Sequence, residues 1–191
     1  FTSAGELTAA LLPSDFASTS LARKQGLVIW GGSFKYFNDI FLGIDQFLAK
    51  NPQFAKRDRN ALVLDSGTHI FTRDVIVPKN LRLIIEPGAK ILMAPKVSLI
   101  SYSPVSAIGT ADLPVTITAL NPSAEPWGSF GVVGTMGKAK NYFSYLRVSG
   151  GSAWGGSVDS RLNGVPFISQ FSLRSADSEI YNSIFENGYS D

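Results

Sequence analysis

The fold is decided by residues 81–93, which read Leu-Arg-Leu-Ile-Ile-Glu-Pro-Gly-Ala-Lys-Ile-Leu-Met. Residues 81–85 alternate as in a β-strand, Pro87-Gly88 forms a bend, and a second short strand follows. Similar short segments, separated by Gly, Pro or Asn, continue from Leu62 to Phe185. Such segments cannot each close a core alone, so they predict stacked coils that share one continuous core. We therefore expect a mainly β protein built as a single-stranded parallel β-solenoid.

An antiparallel β-sandwich is the rival architecture, because it also has many short strands separated by turns. Its hairpins favour two-residue Asn-Gly or Asp-Gly turns between strands of similar length. Here the chain bends at Pro87-Gly88 and again at Pro95 after only a few residues. These turn types favour the solenoid.

The expected strands recur at a spacing of commonly about twenty residues, which suits three strands per coil. A further short strand is expected at Leu27–Trp30, before the solenoid. The predicted solenoid strands are Leu62–Leu64, His69–Phe71, Val75–Val77, Leu81–Ile85, Ile91–Met93, Val97–Ile100, Val115–Thr118, Phe130–Val133, Tyr142–Val148, Phe167–Leu173 and Glu179–Phe185. The side chains expected to point inward include Leu83, Ile85, Ile91, Leu99, Ile117, Val132 and Ile180.

Residues 34–50 have the three-and-four spacing of an amphipathic helix, which Asn51-Pro52 ends. A membrane-surface helix would carry Lys and Arg along its polar face, but this face offers only Lys35 and Lys50 as cations. We expect instead a cap over the first coil, since the end of a solenoid exposes its core. The chain thus divides into residues 1–60, with the cap, and residues 61–191, with the coils. The cap residues expected to be buried are Phe37, Phe41, Ile44 and Phe47.

Composition excludes several classes of function. The net charge of +2, with scattered Lys and Arg, does not predict nucleic-acid binding. The absence of Cys excludes disulfides, thiolate nucleophiles and zinc–sulfur sites, and the single His excludes a multi-histidine metal site. No apolar run approaches the roughly 20 residues of a membrane span. Neither a cofactor nor a metal is expected.

Three runs resemble a known family: residues 80–91 with Glu86-Pro87-Gly88, residues 108–118 with Gly109-Thr110, and Trp127-Gly128. They are similar to the opening coils of right-handed parallel β-helix proteins of the pectin-lyase-like class. Residues 180–188 resemble an ordinary coil, with Asn182 at a bend where stacked asparagines hydrogen-bond along the solenoid. The resemblance covers roughly residues 61–191. It implies a right-handed β-helix of the bacterial secreted, cell-surface or spore-coat-associated kind.

In the polysaccharide-active members of this class, acids and bases project from successive coils into a lateral groove. Asp177 and Glu179 are two residues apart, so an extended strand would place them on one face about 7 Å apart. That arrangement is a candidate for the acid and base of an inverting glycosidase, although a solvated turn edge is the more ordinary interpretation. The acids that could take such a role are Asp159, Asp177, Glu179, Glu186 and Asp191.

The candidate ligand-binding residues are Trp154, Arg161 and Arg174, for stacking on a sugar ring and for contacting an anionic sugar. Ordinary surface ion pairs are the alternative for the arginines, Arg147 included. Packing is the alternative for tryptophan and is favoured for Trp127. His69, beside apolar neighbours on a short strand, is expected to be structural.

These observations favour a non-enzymatic extracellular or surface-associated scaffold or carbohydrate-interaction module, with an extracellular polysaccharide as the partner. The alternative is the N-terminal portion of a polysaccharide lyase or glycoside hydrolase whose catalytic coils lie beyond Asp191. Residues 187–191 read as a turn that leads into another coil. The strands of 179–185 are therefore expected to lack a cap, and an uncovered strand edge favours end-to-end association through this last coil.

Overall fold

The computed structural model describes residues 36–137, 139–157 and 160–189. The strand expected at Leu27–Trp30 lies outside these residues. Most of the strands belong to three sheets, in which every pairing is parallel except that of the first two strands. The protein is therefore mainly β with parallel sheets, as predicted, and the antiparallel sandwich is excluded.

Each sheet consists of strands that pair with their neighbours in the following order. The first sheet contains β1 Ala55–Lys56, β2 Ala61–Leu64, β5 Arg82–Ile85, β8 Val105–Ile108, β11 Asn141–Ser144 and β16 Ser178–Tyr181. The second sheet contains β3 Gly67–Phe71, β6 Ala89–Met93, β9 Val115–Ala119, β12 Leu146–Ser149 and β17 Ile184–Glu186. The third sheet contains β4 Val75–Val77, β7 Leu99–Ser101, β10 Phe130–Val133 and β15 Phe171–Arg174. A separate antiparallel pair joins β13 Arg161–Leu162 to β14 Val165–Pro166.

Successive strands enter the three sheets in rotation: β2, β3 and β4 lie in the first, second and third sheet, and β5, β6 and β7 repeat that order. Partners in the first sheet are 21 residues apart at its start, from Leu62 to Leu83. They are 37 residues apart at its end, from Phe143 to Ile180. The expected spacing of about twenty residues is therefore correct for the first strands and too short for the later ones.

The inward-facing residues of the three sheets form one apolar core. Ile180 was expected among them, but it is 42% exposed although its partner Phe143 is fully buried. β16 is the last strand of its sheet in the described part of the chain, so no neighbouring strand covers Ile180. The inward predictions that the structure confirms are Leu83, Ile85, Ile91, Leu99, Ile117 and Val132.

Single residues in the left-handed region break two segments that were expected to be continuous strands. Tyr145 separates β11 from β12, and Asn182 separates β16 from β17, each with φ of 48°. The two bends are stacked, because the Tyr145 N–H donates to the carbonyl of Tyr181. Asn182 therefore lies at a bend as expected, but its neighbour in the stack is a tyrosine rather than an asparagine.

The continuous helix expected at residues 34–50 is replaced by two shorter helices. A 3-10 helix at Asn38–Phe41 precedes an α-helix, α1, at Ile44–Lys50. Phe47 is fully buried and its ring lies 5.1 Å from that of Phe54, which in turn stacks on Phe71 of β3. The helix α1 therefore packs its buried aromatic side chain against the apolar residues of the first strands.

The predicted burial of Phe41 is wrong, because this side chain is 61% exposed. The chain leaves helical geometry at Leu42, so Phe41 and Ile44 do not lie on one continuous helical stripe. Ile40 supplies the buried contact of the 3-10 helix, and Phe37 is half-buried.

A second apolar cluster covers the outer face of the third sheet, and residues 151–170 contribute much of it. Phe167 packs directly over Gly131 of β10, where a Cβ atom would approach the phenyl ring to 2.6 Å. The absence of a side chain at Gly131 thus allows Phe167 to pack closely against β10. The buried members of the cluster are Ile40, Ile76, Ile100, Tyr102, Val133, Trp154, Leu162 and Phe167.

Candidate functional site

The outer face of the first sheet carries two exposed tyrosines on adjacent strands. Tyr142 of β11 is 41% exposed and pairs with Glu179 of β16. Tyr181 follows two residues later on β16 and is 56% exposed. Strand spacing and residue rise separate the two tyrosine Cα atoms by about 8 Å. We call Tyr142, Tyr181, Glu179 and Lys140 the tyrosine face.

Glu179 connects the polar groups of this face. Its Oε1 accepts a hydrogen bond from Lys140 Nζ at 2.5 Å, and its Oε2 accepts one from the Tyr181 hydroxyl at 3.0 Å. The hydrogen bond from Lys140, followed by that from Tyr181, holds the pKa of Glu179 below its usual range. The same contacts with Glu179 raise the pKa of Lys140 and that of Tyr181. Glu179 is therefore a carboxylate with fixed orientation at neutral pH.

The two acids proposed as a glycosidase pair have different partners. Asp177 is exposed, and its Oδ2 accepts the N–H of Gly137 at 3.1 Å. Glu179 instead turns to Lys140 and Tyr181. A general acid needs a raised pKa to stay protonated at neutral pH, whereas the pKa of Glu179 is lowered. Glu179 is thus suited to accepting hydrogen bonds rather than to donating a catalytic proton.

The predicted ligand-binding residues lie away from this face. Trp154 is only 6% exposed, and its ring makes an edge contact with Tyr36 at 6.0 Å, so its faces cannot stack on a sugar in this conformation. Arg161 lies on β13, where its Nη1 reaches the carbonyl of Gly164 at 3.5 Å. Arg174 Nε donates to the carbonyl of Pro166 at 3.0 Å.

Glu186 and Arg147 do not extend the tyrosine face. Arg147 and Glu186 lie in the second sheet, both exposed. Asp159 and Asp191 fall outside the described residues.

The contacts of Trp127 and His69 are those of structural residues. Trp127 is fully buried, its Nε1 donates to the Ser149 carbonyl at 2.8 Å, and its ring lies close to Gly151. His69 Nε2 lies 2.7 Å from the carbonyl oxygen of Asp65.

Sequence reasoning missed the two tyrosines. Tyr142 alternates with the buried Phe143, and this pattern indicates that Tyr142 points outward. The pairing of β11 with β16 spans 37 residues, well above the spacing of the first strands, so the sequence does not reveal that the tyrosines are neighbours.

Within the described ranges, no group of three or more His, Cys, Asp or Glu side chains is placed to hold a metal ion. None of the helices in those ranges is long and apolar enough to cross a membrane.

Comparison with known proteins provides no relative from which a role for these residues follows. A scan against protein-family models, a search of curated proteins and a search of solved structures each returned no match.

Proposed function

We propose that the three sheets are the sides of a right-handed, single-stranded parallel β-helix with α1 as its N-terminal cap. Two observations support this architecture: the strands enter the sheets in rotation, and their pairings are parallel. The right hand follows from the strong preference for right-handed crossovers between parallel strands and from the family resemblance of residues 80–91.

We further propose that the protein is a non-enzymatic scaffold, secreted or at the cell surface, whose tyrosine face binds an extended neutral polysaccharide. The observation that carries this proposal is the pair of exposed tyrosines on adjacent parallel strands. A tyrosine ring offers an apolar face for stacking and a hydroxyl for hydrogen bonding, at low cost in side-chain entropy. Neighbouring rings on a rigid sheet would contact successive sugar units.

The charged groups of the face fit a neutral ligand better than an anionic one. Lys140 and Glu179 compensate each other in a close ion pair, so the face presents no isolated cation to an acidic sugar. The oxygens of Glu179 and the ammonium group of Lys140 retain hydrogen-bonding capacity for sugar hydroxyls. The lowered pKa of Glu179 suits an acceptor of hydrogen bonds and does not provide the protonated acid that glycoside hydrolysis, the alternative function for this fold, requires.

Affinity electrophoresis of the 191-residue protein in gels that contain xylan, β-glucan or starch tests the proposal. At least one neutral polymer should retard the protein, and Tyr142→Ala with Tyr181→Ala should abolish the retardation. Loss of stacking is expected to cost at least about tenfold in affinity, because an aromatic pair supplies much of the binding energy at such surfaces.

Tyr189→Ala is the matched control, since Tyr189 is 65% exposed but lies outside the first sheet. Its substitution should leave the retardation unchanged. No retardation by any of the three polymers, or equal losses in the double variant and in the control, would overturn the assignment of this face.

A further inference from the structure

We propose a second binding site, for a small hydroxylated carboxylate of the sugar-acid class, in a groove that residues 40–44, 58–61 and 79–82 form. The groove consists of two adjoining cavities of about 440 Å³ and 310 Å³. Asn60, Asn80 and Leu81 border both cavities, which makes them parts of one groove. Each cavity has the size of a site for a small molecule. We call this site the cation groove.

The charge of the cation groove is predominantly positive. Three cations line it, namely Arg59, Lys79 and Arg82, against the single acid Asp58. Asp58 Oδ1 already accepts the N–H of Asn60 at 2.8 Å. The separation of 3.6 Å between Asp58 and Arg82 is long, and both side chains are about half exposed, so this ion pair is weak.

Two of the cations have no carboxylate partner within the described part of the chain. Among the described residues, neither Arg59 nor Lys79 forms an ion pair. Lys79 Nζ instead lies 5.1 Å from the centroid of the Phe41 ring, a cation–π contact that leaves its hydrogen-bond donors available. The exposed Phe41 also gives the groove an apolar border. An anion with a carbon framework would contact both the cationic side chains and the apolar border.

Backbone hydrogen bonds hold the walls of the groove. The N–H of Lys79 donates to the carbonyl of Ile40 at 2.8 Å and joins the turn after β4 to the 3-10 helix. The N–H of Arg82 donates to the carbonyl of Asn60 at 2.7 Å and joins β5 to the segment before β2. A site whose walls are already fixed loses less entropy when a ligand binds.

The functional groups of the groove define the class of ligand. A guanidinium pairs with a carboxylate through two parallel hydrogen bonds, which Arg59 and Arg82 can supply. The amides of Asn60 and Asn80 both donate and accept, as sugar hydroxyls require. A carboxylate that also carries several hydroxyls is therefore preferred over a simple carboxylate and over a neutral sugar.

Isothermal titration calorimetry of the 191-residue protein at low salt, with glucuronate as the probe, tests this proposal. Glucose lacks the carboxylate and acetate lacks the hydroxylated ring, so the two are matched ligands. Glucuronate should bind at least about tenfold more tightly than either, and its affinity should fall as salt is added. Arg59→Gln with Lys79→Gln should weaken binding of glucuronate at least about tenfold.

Two control variants test whether glucuronate binds in the cation groove and nowhere else on the protein. Lys90→Gln removes an exposed cation from the outer face of the second sheet and should leave glucuronate binding unchanged. Tyr142→Ala with Tyr181→Ala should also leave it unchanged, so failure of the tyrosine face and failure of the cation groove are distinguishable. Each of three results would overturn the proposal: no binding of glucuronate, equal binding of acetate or glucose, or an equal loss of glucuronate binding in Lys90→Gln.

Discussion

At the scale of single residues, Glu179 is the carboxylate whose ionisation the structure defines most clearly. Its hydrogen bond from Lys140 forms only in the folded protein, because the pairing of β11 with β16 brings the two residues together, whereas the bond from Tyr181 lies within β16. The folded-state pKa of Glu179 therefore lies below its unfolded value. The resulting stabilisation is present above the unfolded pKa and is lost as the pH falls through the folded pKa.

Substitution of Lys140 by Gln should raise the pKa of Glu179 towards its usual range, since the ammonium donor is the largest cause of the lowering. Carbon-detected NMR titration of the side-chain carboxyl measures this shift. Lys96→Gln is the matched control, because Lys96 pairs with Glu125 rather than with Glu179. An unchanged pKa of Glu179 in Lys140→Gln would show that the ion pair does not persist in solution.

At the scale of secondary-structure elements, the alternation of apolar and polar residues along the chain predicted most strands but not their ends. The inward positions of β5 and β6 follow directly from the alternation around Pro87-Gly88. The strand β8 at Val105–Ile108 was missed, because its inward residues are Val105 and the weakly apolar Ala107. The bends at Tyr145 and Asn182 depend on a left-handed residue that the apolar pattern does not encode.

The site was harder to predict than the strands, for a physical reason. Its residues come together through pairings between strands, and the lengths of the connections decide which strands become neighbours. Residues 151–170 lengthen one connection and cover the third sheet, whereas the first sheet keeps an exposed outer face. Alternation indicates that Tyr142 points outward, but it does not indicate that Tyr181 is beside it.

The helix α1 provides a prediction at this scale. Phe47→Ala should lower the free energy of unfolding by about 3–5 kcal/mol, because Phe47 is fully buried against the first strands. Phe41→Ala should cost less than about 1 kcal/mol, since that ring is mostly exposed. Urea denaturation of both variants measures the difference. Equal costs would contradict the break between the 3-10 helix and α1.

At the scale of the whole molecule, the last strands of the sheets expose apolar side chains that lie in line with the core. Ile180 continues the inward row of Ala107 and Phe143, and Phe185 continues that of Val148. Both Ile180 and Phe185 are about 40% exposed. An exposed strand edge is a template for pairing with another chain.

We therefore expect a protein of these 191 residues to self-associate through β15, β16 and β17 as its concentration rises. Light scattering over a concentration series measures the association, and Ile180→Lys should reduce it by placing a charge at the interface. Ile70→Lys is the control, because Ile70 is 53% exposed on β3, the edge strand at the opposite end of the second sheet. A monomer at every concentration would contradict this proposal.

The fold and both proposed sites depend on successive strands that stack in parallel on separate sides of one molecule. Cysteine cross-linking tests this stacking, because the chain contains no Cys of its own. Ser106 pairs with Tyr142 in the first sheet, and Thr116 pairs with Arg147 in the second. Paired Cα atoms on neighbouring strands lie about 4.8 Å apart, within the range that a disulfide requires.

Ser106→Cys with Tyr142→Cys, and Thr116→Cys with Arg147→Cys, should each form an intramolecular disulfide under mild oxidation, detected by mass spectrometry of the monomer. Ser106→Cys with Thr116→Cys, which joins residues of different sheets, should remain reduced. Efficient cross-linking of both paired variants and not of the third is the result that stacked parallel strands predict. Reduced thiols in the paired variants, or equal cross-linking in all three, would contradict the parallel stacking.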